Sequence, residues 1–238
     1  MRHVLLVPDD GPWFAGHFPG RPILPGVAAL TLASEALACG PLAGIEHARF
    51  RSTIAPGESL ALDAKRQGGD RIRVAVLRAG VGVLSATLAC REPASGVRVV
   101  EPTAPPFDAP PLDALLPHRP PMRFVTAVLA VRADGADCAA RIPPDCALVR
   151  GVAAPALAVI EAAAQTAAVW EALRRRGGGP DGGPREGYLV ALRDVPADVP
   201  LVARVRLTAV AMPLTQYHAT VTLAGEPVMD GTIGTVLA

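Results

Sequence analysis

An α+β protein of two similar halves, each a curved antiparallel sheet wrapped around one helix, is what three features of the sequence predict. Each half contains one Ala-rich, nearly all-round apolar helical segment among short strand-like runs, and a helix with so little polar face must be covered on most sides. Between the halves, Val99 to Pro111 (VVEPTAPPFDAPP) holds five prolines and no apolar period, the composition of a stiff, extended linker. The 238 residues, 50% hydrophobic and 19% charged, supply two small domains with buried cores and exclude disorder as the dominant state.

Taken in order, Val27 to Cys39 (VAALTLASEALAC) are strong helix formers stopped by Gly40-Pro41. Strands are expected at Ala48 to Ile54, before the turn Ala55-Pro56-Gly57, and at Leu60 to Lys65. Two more follow the Gly68-Gly69-Asp70 turn, at Ile72 to Leu77 and Val83 to Arg91. After the linker, Phe124 to Arg132 and Ala136 to Ile142 read as strands. Pro155 to Arg176 reads as a helix with proline in its first turn, ended by the Gly-rich stretch Gly177 to Gly183. Tyr188 to Leu192, Leu201 to Val210, Gln216 to Leu223 and Pro227 to Val236 complete the strands. The recurrence suggests an internal duplication with domains at 1–98 and 112–238 and a linker at 99–111.

Charge is balanced: residues 1–110 carry 11 basic and 10 acidic side chains, residues 111–238 carry 12 of each. Neither half has the basic surplus of a nucleic-acid or polybasic membrane surface. The four cysteines, Cys39, Cys90, Cys138 and Cys146, form no CxxC pair and have no histidine at metal-ligand spacing, which points to reduced thiols in a cytoplasmic chain. The apolar run before Pro8 is four residues long, too short for a signal sequence. Gly151 to Ile160, broken by Pro155, falls far short of the ~20 residues of a membrane helix.

The chemistry concentrates at Phe14 to Val27, FAGHFPGRPILPGV, where one histidine lies in a run with three prolines and three glycines that ends where the first helix begins. Pro19, Pro22 and Pro25 stiffen the backbone around the turn. The Gly26 amide falls at the helix N-terminus, where unpaired N–H groups and the dipole favour developing negative charge. A carbonyl oxygen bound there is polarised, and His17 near it is a candidate general base at neutral pH. An isolated histidine is ordinarily a hydrogen-bonded turn residue; the composition of the run around His17 argues for more.

That run resembles the active-site segment of the hot-dog-fold 3-hydroxyacyl-acyl-carrier-protein dehydratases, through Gly16-His17-Phe18-Pro19, Pro22-Ile23 and Pro25-Gly26-Val27. Ile45 to Gly57 (IEHARFRSTIAPG) resembles the family's central strand and following turn, so the likeness covers most of residues 1–95. It implies a tandem hot-dog fold, with His17 catalytic and Phe18, Gly26 and Val27 at the substrate. The family's helix carboxylate, fourteen residues after the histidine, falls here on Thr31, which is no carboxylic acid; Glu35, one turn later, stands where the family usually has glutamine.

The second half supplies what the first lacks. Leu115 to Pro121 (LLPHRPP) resembles the start of the same family, and Glu161 followed by Gln165 resembles its helix motif, with both side chains on one helix face. Glu161 interrupts AAPALAVI and AAA, and burial there is expected to raise its pKa and favour the protonated acid. The other reading is a narrow solvent stripe of Glu161, Gln165 and Glu171. Counting fourteen back from Glu161 gives Ala147, with no histidine nearby. His118 matches a family histidine outside the catalytic pair and reads as structural, while His3, His47 and His218 carry no motif. Aligning the shared GVAA strings, 26–29 with 151–154, pairs Glu161 with Ala36; the Glu/Gln pattern pairs it with Thr31, since Pro155 lets the helix begin after that string.

The family draws the histidine and carboxylate from opposite subunits of a dimer, so the resemblance implies one complete site in an internal pseudo-dimer, His17 with Glu161, and a dead counterpart at Thr31 and Ala147. This division is similar to the paired dehydratase-like proteins of aryl-polyene clusters. The implied reaction removes water from a 3-hydroxyacyl thioester to give the trans-2-enoyl product. His17 acts as base, Gly26 supports the oxyanion, Glu161 is the acid and Gln165 orients it. It needs no metal or organic cofactor. The implied partner is an acidic acyl carrier protein, with Arg21, Arg119, Arg123 or Arg150 as candidate contacts; no nucleic acid or membrane insertion is expected, and oligomerisation beyond the pseudo-dimer is left open. A hot-dog thioesterase and a catalytically silent acyl-carrier or partner-binding scaffold are the alternatives; GHFP argues against the first.

Overall fold

The computed structural model describes residues 2–40, 42–90, 107–149, 153–154, 156–176, 185–192, 195–196, 200–211 and 214–236. The first half runs β1 (Arg2–Leu6), α1 (Gly26–Ala36), β2 (Leu42–Phe50), β3 (Ser59–Arg66), β4 (Arg71–Arg78) and β5 (Val81–Cys90). The second half begins with α2 (Leu112–Leu115), β6 (Val125–Arg132), β7 (Gly135–Arg141), β8 (Ala153–Ala154) and α3 (Ala156–Arg176). It continues with β9 (Arg185–Leu192), β10 (Val195–Pro196), β11 (Pro200–Ala211), β12 (Leu214–Leu223) and β13 (Glu226–Val236).

Both main sheets are antiparallel, with strand orders β1-β3-β4-β5-β2 and β6-β7-β11-β12-β13-β9. With β6 set aside as an added edge, the two orders are the same, and each half places its long helix between its first and second strands. The β4–β5 and β12–β13 hairpins close on the same dipeptide, Ala79-Gly80 and Ala224-Gly225, with φ of 47° and 84° in one and 53° and 85° in the other. Positive φ at both central residues matches the right-handed twist of the flanking strands. The repeated hairpin and strand order bear out a tandem arrangement.

Strand alternation decides what is inside. In β3 and β4, Leu60, Leu62, Ile72, Val74 and Val76 are buried while intervening positions face outward. The last strands of the two sheets, β2 and β9, lie side by side, and α1 packs on α3, so one apolar core runs through both halves. Ala28, Ala29 and Ala33 of α1 and Ala158, Ala162, Ala163 and Ala167 of α3 are at most 1% exposed, small side chains that let the helices seat closely on the sheets. Beneath α2, a second cluster joins Leu115, Leu116, Val125, Val128 and Val169.

Besides the short α2, β8 and β10, which the sequence reading did not include, two elements differ from expectation. The strand expected at Ala48 to Ile54 runs instead from Leu42 to Phe50. Beyond Arg51, whose amide still donates to Val83 O of β5, the backbone groups bond elsewhere: Ile54 O accepts the Leu24 amide at 2.8 Å, and the Ala55 amide donates to Glu58 Oε1 at 2.6 Å. β1 is an added strand, antiparallel to β3. Most of the Pro-rich linker and the Gly-rich break after α3 lie outside the described residues. Among the described residues, no helix is long and apolar enough to cross a membrane.

Candidate active site

The segment carrying His17 is shaped by short-range backbone bonds. The His17 amide donates to Phe14 O at 3.0 Å, Ile23 N to His17 O at 3.1 Å, and Phe18 and Arg21 exchange amide–carbonyl bonds at 3.0 and 3.2 Å. Leu24 N, bonded to Ile54 O, ties the end of the loop to the turn before β3. His17 Nδ1 lies 3.0 Å from Ile23 O. A carbonyl only accepts, so Nδ1 carries the proton and the basic lone pair is on Nε2.

Pro25 caps α1 from an extended conformation, and the first helical bond is Ala29 N to Pro25 O at 3.0 Å, which leaves the amides of Gly26, Val27 and Ala28 without an intrahelical acceptor. Gly26 is required by packing: a Cβ there would stand 2.7 Å from the Phe50 ring. Val27 is buried under the helix start.

From the second half, Glu161 and Gln165 project from α3, and both are buried. Gln165 uses its whole amide: Nε2 donates to Met122 O at 2.7 Å and to Glu161 Oε1 at 3.0 Å, and Oε1 accepts the Phe124 amide at 2.8 Å. The expected orientation of Glu161 by Gln165 is present, and Gln165 also clamps α3 to the start of β6. The solvent-stripe reading is thereby corrected for these two side chains: both face the core because the segment from Met122 to Val125 crosses the helix there. The helices also settle the pairing of the halves, since Thr31 and Glu161 each lie five residues beyond the first residue of their helix, Gly26 and Ala156.

His118, read from the sequence as structural, lies in the same cluster. Its ring is fully buried, with Nε2 3.2 Å from Glu161 Oε1 and its centroid 5.2 Å from that of His17. Phe18 stacks on His17 at 4.1 Å and sets its edge against His118 at 4.9 Å. The donor atoms of His17, His118 and Glu161 all lie within 4.8 Å of one another. The proline-dense LLPHRPP segment, matching in kind the surroundings of His17, was the signal for His118. Arg119 N donates to Gly16 O at 2.9 Å, which sets the next residues, 118 and 17, face to face.

Other candidates fall away from this cluster. Thr31, the counterpart of Glu161, donates its Oγ1 to Val27 O of its own helix at 2.9 Å, and the second-half counterpart of His17 is Ala147, so the other pair of positions offers no acid and no base. Glu35 is exposed near the end of α1. Of the arginines proposed for carrier contact, Arg119 donates to Leu116 O and His118 O, both at 2.9 Å, and Arg123 pairs with Asp113; their guanidinium groups hold the His118 segment. Arg21 is exposed, and Arg150 lies outside the described residues.

Residues 110–234 match the ApeP-like family, described as ApeP dehydratase, and residues 1–81 match the ApeI-like family, described as ApeI dehydratase. The 3-hydroxyacyl-(acyl-carrier-protein) dehydratase FabZ of Klebsiella pneumoniae is 35% identical over 108 residues, which cover 38% of this chain and 72% of that protein. Among solved structures, the dehydratase domain of PpsC from Mycobacterium tuberculosis is similar with a TM-score of 0.61 at 18% identity, covering 100% of this chain and 93% of that one. A hot-dog-fold protein of unknown function from Alicyclobacillus acidocaldarius is similar with a TM-score of 0.58 at 14% identity, with coverage of 100% and 93%. These two establish the fold, a tandem hot-dog. With an ApeI-like first half joined to a second half whose family model spans over half of the sequence, the chain belongs to the ApeP-like dehydratases, hot-dog lyases.

Proposed function

We propose that the chain removes water from a 3-hydroxyacyl thioester carried on an acyl carrier protein, in fatty-acid or polyene-type synthesis, at one composite site built from both halves. The observation that carries this is the approach of His17 from the first half to Glu161 of the second, with donor atoms no more than 4.8 Å apart. His17 Nε2 removes the proton α to the thioester carbonyl, and the electron pair moves onto the carbonyl oxygen at the α1 N-terminus, beside Gly26. As the double bond forms between the α and β carbons, the β-hydroxyl leaves with the proton of Glu161. Water and the trans-2-enoyl thioester result; His17 holds one proton and Glu161 lacks one, and a transfer between them restores the site.

Carrier docking calls for a basic surface. Arg49, Arg51 and Arg73 gather with Ser85 and Thr87 around a cavity of about 310 Å³ on β2, β4 and β5. Phe50, between two of these arginines, packs against Gly26, so this basic face backs directly onto the α1 end of the site. It replaces Arg119 and Arg123 as the candidate carrier contact.

The test is turnover of a 3-hydroxyacyl carrier-protein thioester, followed by mass spectrometry. Loss of one water with the thioester intact is the expected result; release of free acid would indicate a thioesterase, and an unchanged substrate a silent scaffold.

A further inference from the structure

Both ring nitrogens of His118 are buried without a hydrogen-bond partner among the described residues, and the ring itself is 0% exposed. A buried imidazole left so costs stability, and such a group in a folded protein calls for an explanation. Its surroundings supply one. Nε2 lies 3.2 Å from Glu161 Oε1, an ion-pair separation without the alignment of a hydrogen bond in this conformation. The same Oε1 accepts the Gln165 amide at 3.0 Å. An oxygen already accepting from one N–H is the carbonyl-like oxygen of the acid, so the transferable proton belongs on Oε2.

We infer that His118 is a positioning residue for the dehydration, the second N–H donor to Glu161 Oε1, which together with Gln165 stabilises the carboxylate left when the proton goes to the departing hydroxyl. The inference rests on the dehydratase reading and deepens it. It requires the Nε2–H tautomer of His118 and a small closure of the 3.2 Å contact into a hydrogen bond as negative charge develops, a tightening usual between free and reacting enzymes. The Arg119–Gly16 backbone bond and the Phe18 edge hold the imidazole in place for this. In this cluster the titratable groups that face Glu161 are His17 and His118.

The variants His118→Phe and His118→Asn, with nitrogen NMR of the unaltered protein, test this. Loss of the donor in His118→Phe lowers kcat on the order of 10- to 100-fold, the worth of a charge-assisted hydrogen bond, while KM stays within about threefold. Losing a donor to the carboxylate favours the protonated acid, so one limb of the pH–rate profile moves up on the order of one pH unit while the other holds. His118→Asn, which keeps an N–H, recovers most of kcat. A folded His118→Phe with full kcat, or with reduced thermal stability and unmoved limbs, would overturn the role. The NMR arm stands even if His118→Phe does not fold: with five histidines in the chain the spectrum is tractable, and an Nδ1–H tautomer at His118 would overturn the inference. An unaltered protein that forms no enoyl product would instead sink the dehydratase reading.

Discussion

The Arg119 carbonyl oxygen occupies the space a side chain at Gly16 would need: a Cβ there would stand 1.9 Å from it. The Arg119 amide bonds to Gly16 O at 2.9 Å, so this close approach sutures the two halves beside the cluster of His17, His118 and Glu161. Gly16 also has a φ of 77°, a left-handed conformation that suits glycine. Gly16→Ala is therefore expected to cost at least ~1 kcal/mol in stability and to lower kcat by separating His17 from Glu161. Denaturation midpoints and kinetics together check it.

For the acid, Glu161→Gln is expected to reduce kcat by about 10² to 10⁴-fold with little change in KM, because proton donation develops only in the transition state. His17→Ala is expected to fall in the same range. Glu35→Gln, at an exposed position on α1, is expected to be near neutral. Steady-state kinetics on the carrier-bound substrate rank the three, and a Glu35 variant worse than Glu161→Gln would overturn the assignment.

Gln165→Leu removes the acceptor for the Phe124 amide and the donor to Met122 O. Each buried group left unpaired is expected to cost about 1–3 kcal/mol, so thermal unfolding drops along with kcat. A variant with full activity would show that Glu161 needs no orientation from Gln165.

Stability should also report on the loop through Glu58. Arg78, bonded to Glu58 Oε2 at 2.6 Å, holds that carboxyl below its usual range, and the Ala55 amide adds to the effect. A carboxylate whose folded pKa is depressed stabilises above its unfolded value, near 4.5, and loses that contribution as pH falls through the lower folded value. Glu58→Gln is thus expected to lower the melting temperature at pH 7 and to match the unaltered protein at strongly acid pH. A difference that persists unchanged there would deny the ion pair this role.

Charge reversal at Arg51 or Arg73 tests the basic face. KM for a carrier-bound substrate is expected to rise several-fold, and the rise to shrink in high salt, while KM for a short thioester without the carrier stays constant. Equal effects on both substrates would remove this face from docking.

Much of the architecture was legible because alternation and turn chemistry are local. Leu60 to Lys65 and Ile72 to Leu77 declared themselves by alternation, and the two apolar helices by their alanines. β1 was hidden for a physical reason: its outward residues Val4 and Leu6 are apolar though 63% and 71% exposed, so no alternation marks the strand. The pair His17 and Glu161 was readable through motifs, and the match of Thr31 with Glu161 through the Glu/Gln spacing. The placement of His118 beside His17 was not, since it depends on a contact across the halves, the Arg119–Gly16 bond, invisible to any local pattern.

The side-by-side seating of β2 and β9 has a bearing on supply as well as on shape. Where two separate polypeptides must meet to complete a site, unequal synthesis wastes the surplus, and dilution empties the complex. Here each ribosome that finishes one chain delivers both contributors together, in a ratio no change of expression can disturb. Their effective concentration is set by tethering rather than by abundance. With His17 and Glu161 in one site, specific activity is accordingly expected to stay independent of enzyme concentration down to levels at which an untethered pair of subunits would have dispersed.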